Sequence, residues 1–363
     1  MAQYTNLIAE NIAPNNAKRI GVYNESGLRV GGISIGNLVK DKGQKLYSFG
    51  ALSDVHIQYD TAQEDFQKAL TYLNETEDVA FTCVCGDLTS NATAENLGVY
   101  QNYVNTYSPD TPVYSIAGNH ESYSASWGQN GEETVVNLME TVIGKPLRYS
   151  FTQGNDVFIM LGIVADYSRF GTGGLQWLYE TLEANRNKRC FVFQHIRPDD
   201  ACGNAYGIYT NDIWGGTEAT VFESLIKHYK NVIFFHGHSH LKFALQTKTN
   251  LANIDSKFGR YSVHIPSLSV PKTGSIDGTN LTELFSESEG YVVDVYENGI
   301  HLRGRDFVRG EFLPIASYWL DTTLHTIPAG TYTDSTGTIT TEITYTPAIL
   351  GKAILGKTII GRY

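Results

Sequence analysis

Five short apolar runs, each closing on a loop that offers aspartate, asparagine or histidine, constrain this chain more than any other feature. The run 46–52 leads into Ser53-Asp54-Val55-His56, and the run 79–85 into Gly86-Asp87. The run 113–116 leads into Gly118-Asn119-His120-Glu121, the run 190–194 into His195, and the run 232–235 into His236-Gly237-His238-Ser239-His240. Apolar runs of this length bounded by turn residues read as buried strands. Two residues apart at a strand end, Asp54 and His56 project to the same side. A hard carboxylate oxygen and an imidazole nitrogen then face one point, as a divalent metal requires. Singly, each cluster is a common accident, since Gly-Asp is usually a turn and a lone histidine usually a packed core residue. Five in succession, all in the same strand-to-loop setting, point to a metal site.

Between the runs the apolar period changes to that of helices. Residues 62–74 place Phe66, Ala69, Leu70 and Leu73 on one face, and 174–186 do the same with Leu175, Leu178 and Leu182. Further helices are expected near 92–106, 132–142 and 217–229. Strands 147–151 and 157–163 flank the turn Gln153-Gly154-Asn155-Asp156. After His240 the pattern is mostly β, through 291–296 and 300–303. This order implies a mixed α/β core with its ligand groups on loops at strand ends.

Taken in order, Asp-x-His, Gly-Asp, Gly-Asn-His-Glu, a lone His and Gly-His-x-His, the motifs resemble the calcineurin-like metallophosphoesterase superfamily. The resemblance covers Leu46 to about Arg305. It implies an α/β fold of the calcineurin-like phosphoesterase type, a two-sheet β-sandwich flanked by helices, with the site at strand C-terminal ends. It also implies two metal ions. Asp54, His56, Asp87 and His240 would hold one; Asp87, Asn119, His195 and His238 would hold the other, with Asp87 bridging. Manganese, iron or zinc suits such ligands, and nickel or magnesium is a further option. His120 would protonate the leaving oxygen of a phosphoester substrate or stabilise its charge, with Glu121 orienting that imidazole or contacting substrate. His236 shares a strand with the last motif, and alternation makes it a packing residue rather than a ligand. Where relatives often carry a second His and a Pro, this chain has Ile196-Arg197-Pro198. Arg197 either pairs with a phosphate oxygen or faces solvent. Tyr59, Tyr123, Arg148, Tyr167 and Arg169 lie near the motif loops in sequence.

The charge balance, 27 basic against 38 acidic residues and no basic run, disfavours non-specific binding to a nucleic-acid backbone. The N-terminus lacks the basic start and apolar stretch of a signal peptide, which suggests cytoplasmic synthesis. No apolar run approaches membrane-spanning length. Cys83, Cys85, Cys190 and Cys202 have neither zinc-ribbon nor disulfide-framework spacing.

Three regions are expected: an attachment segment over 1–45, the phosphoesterase domain over 46–305 and a β-rich tail over 306–363. The first holds a hairpin, Arg19–Tyr23 against Leu28–Gly31. The last has a Thr-rich stretch, 331–345, that reads as exposed strand, followed by a five-residue near-repeat over 348–362. Three apolar residues per unit suit a homo-oligomer or an assembly partner, and with the Asn-rich start they weakly resemble phage tail attachment pieces, which would place the protein on a virion. The expected activity is metal-dependent hydrolysis of a phosphomonoester or phosphodiester. The alternative is a virion or assembly component whose metal site is structural or vestigial.

Overall fold

The computed structural model describes residues 42–339, except 60, 127, 129, 165–169, 199–200, 204–215, 247–252, 275–279, 325 and 337–338, together with three N-terminal strands. Those strands, β1 (Asn6–Ile12), β2 (Ala17–Tyr23) and β3 (Arg29–Ser34), form an antiparallel meander in the order β1-β2-β3. The expected hairpin is its second half. Its first strand carries Asn6, Glu10 and Asn11 and has no strong apolar alternation to announce it.

From there strands and helices alternate. In order come β4 (Lys45–Leu52), α1 (Ala62–Glu75), β5 (Phe81–Cys85), α2 (Ala94–Tyr107) and β6 (Val113–Ile116). Helix α3 (Glu132–Leu138) continues into a π-turn over Met139–Ile143, and is followed by the hairpin β7 (Arg148–Gln153) and β8 (Asp156–Leu161). Next are α4 (Gly174–Ala184), β9 (Cys190–Phe193), α5 (Gly216–His228), β10 (Val232–His236) and the short α6 (Phe243–Gln246). The chain closes with β11 (Ile254–Asp255), β12 (Tyr261–His264), β13 (Lys272–Thr273), β14 (Thr282–Glu283), β15 (Glu289–Tyr296), β16 (Gly299–Asp306) and β17 (Glu311–Asp321).

Two six-stranded sheets result, ordered β17-β16-β15-β4-β5-β6 and β11-β12-β10-β9-β8-β7. Their strands alternate with period two, and each residue class has a destination. In the second sheet Phe158, Met160, Phe191, Phe193, Ile233 and Phe235 meet the first sheet's Phe49, Phe81, Cys83 and Val293 between the sheets. The alternate residues Val157, Ile159, Cys190, Val192, Val232 and Phe234 face outward, onto Leu175, Leu178, Leu182, Phe222 and Leu225 of α4 and α5. The first sheet's outer face is covered by α1, α2 and α3 through Phe66, Leu70, Leu97, Tyr100 and Val135. The layers are therefore α/β/β/α, the sandwich flanked by helices that the motifs implied. Stacked rings thread its centre: Phe49 on Phe81 at 5.4 Å, Phe158 on Phe191 at 4.7 Å, and Phe193 on Phe235 at 4.8 Å. Each fully buried ring contributes about 1.5–3 kcal/mol.

At the N-terminal ends of β8 and β9 one buried guanidinium locks the sheets together. Arg189 grips Asp156 through Nε (2.9 Å) and Nη2 (2.6 Å), and Nη1 donates to Tyr296 O and Thr322 Oγ1, both at 2.8 Å. Tyr47 donates to the same carboxylate. The opposite edge, where β4, β5, β6, β9 and β10 end, is left for the motif loops.

Two observations bear on the chain beyond 306. Strand β17 does not leave the domain at 306 but pairs antiparallel with β16 and extends the first sheet. Its half-exposed pattern, with Pro314 in the middle, is that of an edge strand, which sequence alone does not separate from an appendage. The described part of 331–345 is not strand either. Asp334 caps a turn by accepting from Thr336 N and Oγ1, while Ile327, Tyr332 and Ile339 are buried against α4 and α5. The near-repeat 348–362 lies outside the described residues.

Candidate metal centre

All five motif loops meet at the one edge of the sandwich. Loops from the first sheet are laced together by backbone hydrogen bonds: Asp54 N donates to Gly86 O (3.1 Å), His56 N to Asp87 O (3.0 Å) and Ile57 N to Leu88 O (3.1 Å). In the second sheet Gly237 N donates to His195 O at 2.9 Å. Across the sheets, His238 N donates to Asp54 Oδ2 at 3.1 Å.

The turns are tight enough to strain the chain. Seven non-glycine residues have positive φ among those described, and five of them are Asp54, His56, Asp87, His238 and His240. Left-handed backbone at a non-glycine residue costs on the order of 1–3 kcal/mol and gathers where function demands it. Two motif glycines have a steric reason. A Cβ on Gly118 would lie 2.3 Å from Asp87 Oδ1, and one on Gly237 would lie 1.9 Å from Ser53 Oγ.

The side chains form two groups that share one carboxylate. Ligand atoms of Asp54, His56, Asp87 and His240 lie within 4.8 Å of one another, as do those of Asp87, His195 and His238. Asp87 Oδ2 stands 3.0 Å from His195 Nε2 and 3.7 Å from His56 Nε2; Asp54 Oδ1 stands 3.0 Å from His240 Nε2. The Nε2 atoms of His56 and His240 approach to 3.2 Å. Yet no hydrogen bond satisfies Asp54 Oδ1, Asp87 Oδ2, Asn119 Oδ1 or His195 Nε2, all of them buried. Convergent, buried and unsatisfied oxygen and nitrogen donors are costly unless a cation takes them. The donor set therefore fits a pair of divalent ions, and Asn119 Oδ1, on the loop after β6, is a further buried acceptor without a partner.

Electrostatics agree. Burial pushes the carboxyls of Asp54 and Asp87 up, but the facing imidazoles outweigh it: His240 and His195 hold Asp54 well below the carboxylate range, and His195 and His120 do the same for Asp87. Burial drives His56 and His238 well below the usual imidazole value, leaving them neutral and able to donate a lone pair. Burial also depresses His195, but Asp87 and Asp54 prevail and lift it to about 9. The carboxylates thus draw positive charge into the centre, and a metal ion there would replace that proton. The tautomer of His195 is set, because Nδ1 donates to Cys85 O at 2.6 Å and leaves Nε2 toward the centre.

His120 stands apart from the two groups. Its side chain keeps 22% exposure, Nδ1 donates to Ser90 O at 2.6 Å, and Nε2 faces the centre 3.9 Å from Asp87 Oδ2. Glu121, expected to orient that imidazole or to contact substrate, ties two neighbouring loops together. It is 1% exposed, and its oxygens accept from Thr89 N and Oγ1 (both 3.0 Å) and from Gly118 N (2.7 Å). Burial, then the charge of Asp87, pushes its carboxyl up to about 7. Arg197 does not face solvent: it is 2% exposed, and its charge is felt at His236, His238 and His264. His236 belongs to neither ligand group and packs 3.5 Å from Cys202 Sγ.

Tyr59 and Tyr123 pack their rings on His56 and His120, with centroids 5.1 and 5.0 Å apart. Arg148 instead donates to Phe170 O and Thr172 O, and Tyr167 and Arg169 lie outside the described residues. Sequence reasoning missed a strap over 265–270. There Ser267 and Ser269 donate to Asp54 O (3.0 and 3.3 Å), and Leu268 N donates to Ser53 O (2.9 Å). Ser239 Oγ meets His264 Nε2 at 2.7 Å behind the last motif. Serines in a loop carry no spacing that announces this.

Comparison with known proteins gives the same picture. The family described as calcineurin-like phosphoesterase matches residues 47–242, more than half of the chain. No curated protein sequence matches significantly. Among solved structures, a dimetal phosphatase from Danio rerio superposes with a TM-score of 0.51 at 15% identity, covering 74% of this chain and 99% of that one. GAP50, described as the anchor in the inner membrane complex of Plasmodium, does so with a TM-score of 0.51 at 14% identity, covering 77% and 90%. At such identities the likeness is one of fold.

Proposed function

The chain belongs to the calcineurin-like phosphoesterase family, and from that premise we propose that it is a hydrolase of phosphoric esters working with two metal ions. The carrying observation is the pair of ligand groups joined at Asp87 with unsatisfied donors turned inward. Asp54, His56, Asp87 and His240 would hold one ion, and Asp87, Asn119, His195 and His238 the other. Bound there, such ions supply Lewis acidity to the phosphoryl group and lower the pKa of water, and manganese, iron or zinc suits the donors best.

The chain's own residues do the rest. Five neutral or neutralisable donors around two carboxylates leave the centre receptive to an anionic ester. With Nδ1 committed to Ser90 O, His120 presents Nε2 at the open side, placed to give a proton to the departing oxygen. Arg197, whose charge reaches His238, is the cation proposed to meet a phosphate oxygen entering beside the second group.

A scaffold role is the competing reading, since the same fold serves a protein described as an anchor. A partly exposed His120 with a fixed tautomer favours hydrolysis, because a purely structural metal site has no use for it. The near-repeat over 348–362 is proposed to bind a second copy or a larger assembly, on its apolar composition alone.

The test is a panel of phosphomonoesters and diesters run with added Mn²⁺ and with chelator. Hydrolysis should require metal. His120→Ala should retain both ions but lose about 10²–10⁴-fold in turnover on esters with poor leaving groups, and much less on aryl esters. No hydrolysis by wild type across the panel would favour the scaffold. Equal losses for both ester classes would remove His120 as the acid.

A further inference from the structure

Glu121 joins the loop of Asp87 to the loop of Asn119, and we propose that it is a positioning residue for the second metal group. The proposal rests on the dimetal reading above and concerns how the chain keeps two loops at the separation that reading needs. Thr89 follows Asp87 by two residues, and Gly118 directly precedes Asn119. Glu121 Oε1 accepts from Thr89 N and Oγ1, and Oε2 accepts from Gly118 N. One carboxylate thus receives three hydrogen bonds from the two loops that carry Asp87 and Asn119.

The chemistry of this position is demanding. All three partners donate, two of them being backbone N–H groups that cannot reverse. Only a group that accepts at both oxygens serves both loops. A glutamine turns its amide N–H₂ against either Thr89 N–H or Gly118 N–H, whichever way it lies. An aspartate is one methylene short of spanning the gap. A buried carboxylate is costly, and hydrogen bonds to a charged acceptor are among the few that offset it. Asp87 adds a parallel tie, with Oδ1 accepting from His120 N at 3.0 Å, and so keeps Oδ2 for the centre.

The first group is held by other means. Asp54 is fixed through Gly86 O, His238 N and the hydroxyls of Ser267 and Ser269. Loss of Glu121 therefore loosens Asn119 relative to Asp87 and leaves the surroundings of Asp54, His56 and His240 in place. A residue that merely stabilised the fold would affect both groups alike.

Titration of metal-free protein with Mn²⁺, followed by calorimetry and by electron paramagnetic resonance, separates the two. Wild type should bind two ions per chain. Glu121→Gln should bind the first within about threefold of wild type and the second about 10–100-fold more weakly, the range typical of residues that hold metal ligands in place. Thr89→Val removes only the hydroxyl bond and should give a smaller loss at the same site. Equal weakening of both sites, or none, would overturn the proposal. Should Glu121→Gln fail to fold, an unchanged second-site affinity in Thr89→Val would overturn it. Wild type binding fewer than two ions would instead overturn the dimetal reading on which the proposal stands.

Discussion

Replacing Gly118 by alanine tests the contact between the two central loops with one methyl group. The added Cβ would sit 2.3 Å from Asp87 Oδ1, 2.4 Å from Asp87 N and 2.9 Å from His195 Cδ2. Ordinary contact begins about 1 Å farther out. The carboxylate has little freedom, because Oδ1 accepts from His120 N, and the Asp87 backbone is tied to His56 N. His195 is fixed by its bond to Cys85 O. The loops must therefore separate by roughly 1 Å, and overpacking of this kind costs about 1–3 kcal/mol. A displacement of about 1 Å in a reacting constellation lowers turnover about 10²-fold. Urea melts report the first number, and hydrolysis of an activated diester with saturating Mn²⁺ reports the second. Wild-type turnover with wild-type stability in Gly118→Ala would refute the claim that these loops touch at the centre.

Away from the centre two further outcomes follow. Burial raises the Glu289 carboxyl to about 8, against the opposing Phe243 N–H and Lys242 charge. The native state then keeps a proton that the unfolded chain releases. Stability from this group is complete below about pH 4.5 and is lost as pH rises toward 8, at about 1.4 kcal/mol per unit and no more than about 5 kcal/mol in all. Glu289→Gln keeps an acceptor for Phe243 N and should flatten that slope in urea melts between pH 5 and 8.5; parallel curves for the two proteins would contradict it. At the far edge, Arg189→Met leaves Asp156 buried without its cation and should cost about 3–5 kcal/mol while metal content stays unchanged. A loss under 1 kcal/mol would mean that the pair does not lock the sheets.

The site was more legible in the sequence than the sheet around it. Asp54, His56, Asp87, His195, His238 and His240 each follow a short apolar run, and proximity to a strand end is a local property that spacing records. Which strands lie side by side is not local: β4 sits between β5 and β15, whose pairing residues are more than 200 positions away in the chain. For the same reason β17 read as the start of a tail, since an edge strand buries only one face. The role of Glu121 was not legible because two of its three partners are backbone N–H groups, which have no sequence identity. For Arg197 the sequence left phosphate contact and a solvent-facing position both open, because burial is decided by segments distant in the chain; the side chain is buried, and its charge is felt at His236, His238 and His264.

The central claim is that Asp87 is shared by two metal ions. Metal content per chain, measured after reconstitution with Mn²⁺ and gel filtration, tests it in wild type, Asp87→Asn and His56→Ala. The account predicts two ions in wild type, one in His56→Ala and fewer than one in Asp87→Asn, since the amide keeps an oxygen but not the charge that offsets two dications. Asp87→Asn retaining one full ion, with the same occupancy as His56→Ala, would contradict it.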